Sequence, residues 1–259
     1  MGNVSERRKQ PPQVGVSVVI LALGPVPQSD VGAGAASSGM GSTLWMPLVK
    51  RVRQPFLGQW ALPGGGLRAD HSLEQSAYAA LESTTSLHPK YLEQLYTFGD
   101  PARSHGGLPM VSIVYWALVG EADGRIDFAG GDNVKWFPVN HLPELAFDHR
   151  TIVEYAMNRL RGKIESPDIA TRLVGERFTL SQLHDVYEAI AGQRIDLANF
   201  RRKMLASGLL EDTGEKLRIG RNRPAAVYRY SRKPGTASES DDTRIAFQDD
   251  DALSALMTA

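Results

Sequence analysis

The chain has 259 residues, 42% hydrophobic and 22% charged, which are ordinary values for a globular protein. It contains no cysteine, which excludes a disulfide framework and thiolate chemistry, and no apolar run approaches the roughly 20 residues of a membrane span. A formal net charge of zero hides a segregation: residues 1–172 carry 16 basic and 16 acidic residues, 173–233 carry 12 and 7, and 234–259 carry 1 and 6. The length suggests one large or two small domains, and the basic segment points to a charged partner. Arg7, Arg8 and Lys9 are followed by Pro11 and Pro12 rather than an apolar core, so a secretory leader is not expected and a cytoplasmic location is the default.

Residues 1–13 are polar and expected to be disordered. The β-branched run Val14–Leu23 predicts a buried strand. Residues 24–42 are rich in Gly, Ser, Ala and Pro and predict a long hairpin insertion. Thr43–Arg51 predicts a returning strand, in which Pro47 suits an edge or a bulge. A glycine turn at Gly64, Gly65 and Gly66 precedes a helix starting at Ser72, with Gln75 placed to complete a capping box. Tyr91–Phe98, Met110–Val119 and Val134–Val139 predict further strands, and His149–Leu160 carries apolar residues at helical spacing.

The stretch WALPGGGLRADHSLEQSAYAALESTTSL, residues 60–87, resembles the Nudix box without a gap. Anchored at Gly65, the frame puts His71, Ala80, Ser83 and Thr84 where the family has glutamates, Ala79 at its arginine and Ser86 at its last glycine. The skeleton is kept and every acidic position is gone. Nudix hydrolysis uses Mg²⁺ or Mn²⁺ held by clustered carboxylates. Alanine and threonine at positions 80 and 84, one helical turn apart, cannot hold such an ion. The remaining Glu74 and Glu82 are two turns apart and read as solvated charges. The resemblance implies a degenerate Nudix-like α/β/α sandwich over residues 14–162, with no catalytic residues and no metal.

Residues 163–177 predict a linker with a short helix beginning at Ser166-Pro167. A second domain is expected over 178–233. Thr179 and Gln182 form a second capping box, with Phe178 and Leu183 as a hydrophobic staple, and Leu183, Val186, Tyr187 and Ile190 follow at helical spacing to Gly192. Asp196 caps the next helix, whose expected inner face is Leu197, Phe200, Met204 and Leu205, ending at Gly208. Leu209–Ile219 and Ala225–Ser231 predict a hairpin. Helices followed by a hairpin make a winged helix-turn-helix. The residues after Pro234 predict a disordered acidic tail.

In that fold the second helix of the pair enters the DNA major groove. Its predicted outer face carries Asn199, Arg202 and Lys203, with Arg201 on the flank, which suit base edges and phosphates. The wing adds Lys216, Arg218, Arg221 and Arg223, among seven cations with no acid between 216 and 233. Thr179, Ser181 and Gln182 are candidate phosphate donors, although capping alone also explains them. The competing interpretation is a solvated basic face on a protein-binding scaffold.

The combination resembles the NrtR family of bacterial regulators of NAD metabolism. The resemblance rests on residues 55–65 (PFLGQWALPGG), 97–119 (TFGDPARSHGGLPMVSIVYWALV), 178–211 (FTLSQLHDVYEAIAGQRIDLANFRRKMLASGLLE) and 220–231 (GRNRPAAVYRYS). It implies a homodimeric repressor of NAD biosynthesis and salvage genes. It also implies that palindromic operator DNA is released when the Nudix-like domain binds ADP-ribose or a related nucleotide, with no other cofactor. Candidate ligand contacts are Arg51, Arg53, Arg103 and the backbone of Gly64, Gly65 and Gly66 for a diphosphate, and Trp60 or Phe98 for stacking on adenine. Core packing is the competing explanation for the two aromatics, and surface charge for the arginines. An active hydrolase of ADP-ribose or another nucleoside diphosphate derivative is the alternative function.

Overall fold

The computed structural model describes residues 11–27, 41–89, 91–104, 109–120, 126–164, 167–218 and 224–231. Residues 1–10 and the tail from 232, residues 28–40 of the expected 24–42 insertion, and Arg221 and Arg223 of the wing lie outside the described residues, while Gln13, Gly24 and Pro25 belong to β1 and Ser42 to β2.

The first domain is organised on β1 (Gln13–Pro25). It runs parallel to β6 (Met110–Val119) from Gln13 opposite Met110 to Ala22 opposite Val119. The sheet order is β3 (Trp60–Ala61), β2 (Ser42–Lys50), β1, β6, β5 (Leu92–Phe98), with β4 (Gly64–Gly66) paired to β1 and β7 (Val134–Pro138) to β2. A strand buried on both faces reads as a continuous apolar run. Accordingly Val16, Val18, Ile20 and Ala22 of β1 share a core with Ala77 and Leu81 of α1 (Leu73–Thr85). On the other face Val19 and Leu21 share one with Ile152, Val153, Ala156 and Leu160 of α2 (His149–Gly162). The sheet is thus the middle layer of an α/β/α sandwich, as expected. Each fully buried aliphatic side chain contributes about 1.5–3 kcal/mol. Pro47 lies opposite Trp136 of β7, beyond the end of the β1–β2 ladder at Trp45, where its missing N–H leaves no gap.

The glycine stretch differs from expectation. Gly64–Gly66 is a short strand antiparallel to β1, not a turn. A Cβ on Gly64 would lie 2.3 Å from the Val16 carbonyl oxygen, so only glycine permits this close approach.

Residues 163–177 are a packed segment rather than a loose connection. In α3 (Pro167–Val174), Ile169, Ala170 and Leu173 are buried in the same core as α2. The second domain comprises β8 (Phe178–Thr179), α4 (Leu180–Ala191), α5 (Leu197–Ala206), β9 (Leu210–Leu217) and β10 (Ala225–Tyr230), with sheet order β8-β10-β9. This is a winged helix. The capping box at Thr179 and Gln182 is formed, and Gly192 closes α4 in the left-handed conformation at φ 71°. Helix α4 packs against α5 on one side and against β2 on the other, so the buried residues run without a break from Val19 to Phe200.

Candidate functional site

A cavity of about 860 Å³ opens between the end of β2, strand β4 and the start of α2. This is the size of a nucleotide-class pocket. Its wall includes Lys50, Arg51, Arg53, Phe56, Phe147 and His149, and the glycines of β4. Leu67 N–H bonds the Val14 carbonyl and Val18 N–H the Pro63 carbonyl. The antiparallel alternation therefore points the Gly64 and Gly66 amides away from β1, and the Gly65 amide towards it.

The arginines divide by their partners. Arg103 is 6% exposed and pairs with Asp148 through two bonds of 2.8 and 2.9 Å, while also donating to the Phe98 carbonyl at 2.9 Å. Its charge is already neutralised, so it braces the wall and is not a free anion contact. Burial pushes the Asp148 carboxyl up, but the bonds and charge of Arg103 outweigh that and hold it below the ordinary range. Arg51 donates to the Pro55 carbonyl at 2.9 Å and lies 4.5 Å from the Phe147 ring. No carboxylate pairs with Lys50, Arg51 or Arg53 among the described residues. These three supply positive charge to the cavity.

The predicted stacking residues are elsewhere. Trp60 packs edge-on to Phe137 at 5.0 Å, and Phe98 lies between Tyr96 and Tyr155; neither lines the cavity. The aromatic wall is Phe56 and Phe147, 4.8 Å apart and edge-to-face. Both have positive φ, 66° and 56°, a costly conformation for a bulky residue that concentrates at ligand clamps. Sequence reasoning missed Lys50, Phe56, Phe147 and His149. Phe56 lies in the quoted stretch at 55–65, and His149 was read only as the start of the helix His149–Leu160.

The carboxylates of the box helix α1 are Glu74 and Glu82, about two turns apart. Ser72 and Gln75 form its capping box. Thr84 and Ser83, at former glutamate positions, donate to the Ala80 carbonyl of their own helix at 2.6 and 3.1 Å. Among the described residues the candidate metal cluster is His184, Asp185 and Glu188, in α4. Its atoms tie the α4–α5 turn instead: His184 Nε2 is 2.8 Å from the Ile195 carbonyl, and Glu188 accepts from the Ile195 amide at 2.9 Å.

On the winged helix, α5 buries Phe200 and Met204 alone. Leu197 and Leu205, expected inside, are 36% and 52% exposed. The outward surface combines Ala198, Arg201, Arg202 and Ala206 with these leucines, while Asn199 and Lys203 are half-buried beside it. Arg202 donates to the Asn199 side chain at 2.7 Å, and Arg201 to Ser181 at 3.0 Å. Lys216 and Arg218 of the wing are exposed. Thr179 is 1% exposed and its hydroxyl is committed to the cap with Gln182, so Thr179 presents no donor to a phosphate and Gln182 is half-buried in the same box.

Two family models match, the NUDIX domain over residues 33–156 and the NrtR DNA-binding winged helix domain over residues 170–230. A curated relative, the ADPR responsive transcriptional repressor NtrR of Acinetobacter baylyi, is 31% identical across 71% of this chain and 74% of its own length. The chain belongs to the NrtR family. A crystal structure of Shewanella oneidensis NrtR complexed with a 27mer DNA is similar at 35% identity and a TM-score of 0.64, covering 84% of this chain and 93% of that one. An ADP-ribose pyrophosphatase of Methanocaldococcus jannaschii is 33% identical across 44% of this chain and 67% of its own length. NrtR membership thus joins the eroded box to the winged helix in one architecture. No helix among the described residues is long and apolar enough to cross a membrane.

Proposed function

We propose that this NrtR-family chain is a bacterial transcriptional repressor of NAD biosynthesis and salvage genes. It binds operator DNA through α5 and the wing, and it releases DNA when ADP-ribose or a related NAD-derived nucleotide fills the cavity. The carrying observation is a cavity lined by cations with no carboxylate partner among the described residues and by an aromatic pair, beside a box helix that has Ala80, Ser83 and Thr84 where a Nudix box has glutamates. Such a wall suits a diphosphate joined to a base, and such a box leaves the ligand intact. The Acinetobacter relative is by name ADPR responsive, which supports the choice of ligand.

Arg201 and Arg202 read the major groove or its phosphates, with Asn199 held against Arg202. Lys216, Arg218, Arg221 and Arg223 contact the backbone, as does Ser181 at the start of α4. Arg51, Arg53 and Lys50 hold the diphosphate, assisted by the amides of Gly64 and Gly66, and Phe56 and Phe147 flank the base. A homodimer places two recognition helices one DNA turn apart, or a multiple of it, on a palindrome. Ligand and operator weaken each other by the same factor, typically worth about 1–3 kcal/mol.

Fluorescence anisotropy of the full chain on duplexes tiling the upstream regions of NAD-biosynthesis genes tests this at fixed salt. Nanomolar binding to one duplex, weakened at least fivefold by saturating ADP-ribose, is the expected result. Affinity indifferent to ADP-ribose removes the sensing role, and equal binding to every duplex removes the repressor. The pyrophosphatase relative favours a second reading, a residual hydrolase, whose signature is Mn²⁺-dependent AMP release from ADP-ribose.

A further inference from the structure

Among the polar groups of the cavity that the proposed function leaves unused is a buried imidazole. His149, the first residue of α2, is 8% exposed and lines the cavity. Its Nδ1 lies 2.9 Å from the backbone nitrogen of Leu62. That nitrogen is a donor, so Nδ1 carries the lone pair and the neutral ring carries its hydrogen on Nε2. Burial above all keeps the ring neutral down to a pKa of about 4; the charge of Asp148 opposes it, and the smaller effects of Arg103 and Arg51 act with burial. Nε2–H has no partner among the described residues, and His149 lines the cavity, so the donor is available to a ligand there. The ring stands 5.4 Å from Phe147, which lies 4.8 Å from Phe56. The imidazole therefore adjoins the aromatic wall, where a base would lie.

We propose that His149 determines ligand specificity by donating its Nε2 hydrogen to a ring nitrogen of the ligand's purine base, with the Leu62 amide fixing the tautomer that makes it a donor. The assignment rests on the cavity being the nucleotide site. The same residue begins α2, whose Arg161 reaches the Ile190 carbonyl of α4 at 3.4 Å, so the contact is made on an element that also touches the winged helix.

Three variants separate donation to a ligand from a role in holding Leu62. His149→Gln places an amide donor near Nε2 and gives up the Leu62 partner. His149→Asn keeps an acceptor near Nδ1 for Leu62 and cannot reach the ligand. His149→Phe keeps the shape and loses both. Calorimetric titration of the full chain with ADP-ribose is the readout, with thermal unfolding as the check on folding. Asn and Phe are expected to weaken binding on the order of tenfold, the size of one buried hydrogen bond, while Gln stays within about threefold of wild type. Wild-type affinity in Asn with loss in Gln overturns the proposal and makes the residue structural, as does unchanged affinity in all three. Absence of ADP-ribose binding by the wild-type chain is a separate result that removes the nucleotide site itself.

Discussion

Helices α1 and α5 are both short, and both are capped at the N-terminus by a side chain, Ser72 in one and Asp196 in the other. They differ in what their polar faces do. In α1 the hydroxyls of Ser83, Thr84 and Thr85 turn back onto carbonyls of their own helix, and the positions that carry carboxylates in a Nudix box hold no charge. In α5 two arginines project outward and are steadied by Asn199 and Ser181. One helix keeps its buried face and carries small hydroxyl and methyl side chains at the former glutamate positions, while the other presents a cationic surface. The fold depends on the buried face and the function on the other, so each can change without the other.

This contrast can be broken at several levels. The largest effects should come from the buried faces. Phe200→Ala is expected to cost about 3–5 kcal/mol and Leu81→Ala about 2–5 kcal/mol in unfolding free energy, measured by denaturant titration. Leu81 lies in the core on one face of the sheet, and the core on the other face runs on to Phe200, so both should lower a single cooperative transition; two separated transitions would contradict that continuity. Next, Arg202→Ala should cost about 1–3 kcal/mol of operator affinity by anisotropy, with ADP-ribose affinity unchanged. Equal loss of both would mean that α5 supports the cavity rather than reading DNA.

A smaller effect is set by His149. Its folded pKa is depressed to about 4 from an ordinary 6.5, so between these values the unfolded chain holds the extra proton. Its contribution to stability is therefore full above about pH 6.5 and declines as pH falls towards 4, at up to about 1.4 kcal/mol per unit. Subtracting the profile of His149→Phe from that of wild type should isolate this slope; parallel profiles would contradict the buried neutral ring. The smallest effect belongs to the box. Ala80→Ser and Thr84→Ser should each change stability by less than about 0.5 kcal/mol and leave both ligand and DNA binding intact. A large functional loss there would mean that α1 still works in the site.

The local signals were readable in the sequence. Both capping boxes, the glycine that closes α4 and the strand β1 depend on residues close together in the chain, and each is found where it was expected, whereas Gly64–Gly66 became a strand through its pairing with β1. The cavity was readable in part: Arg51, Arg53, Arg103 and the glycines 64–66 line it as expected, while the partners that meet only through folding were not. Arg103 meets Asp148 across 45 residues, and Leu62 meets His149 across 87. No periodicity announces that Arg103 is neutralised, or that Phe56 and Phe147, not Trp60 and Phe98, form the aromatic wall. The face of α5 was misjudged for a related reason. A helix of ten residues packed mainly against α4 buries only Phe200 and Met204, and an apolar count cannot tell such a narrow seam from a broad one.

The central claim is that the Nudix-like domain binds its nucleotide and does not cleave it. Calorimetric titration of the full chain with ADP-ribose in excess EDTA, followed by chromatography of the recovered nucleotide, tests this most directly. Saturable binding at one site per chain, with ADP-ribose recovered whole before and after adding Mn²⁺, is the predicted result. Binding that appears only with Mn²⁺ and yields AMP and ribose 5-phosphate would contradict it.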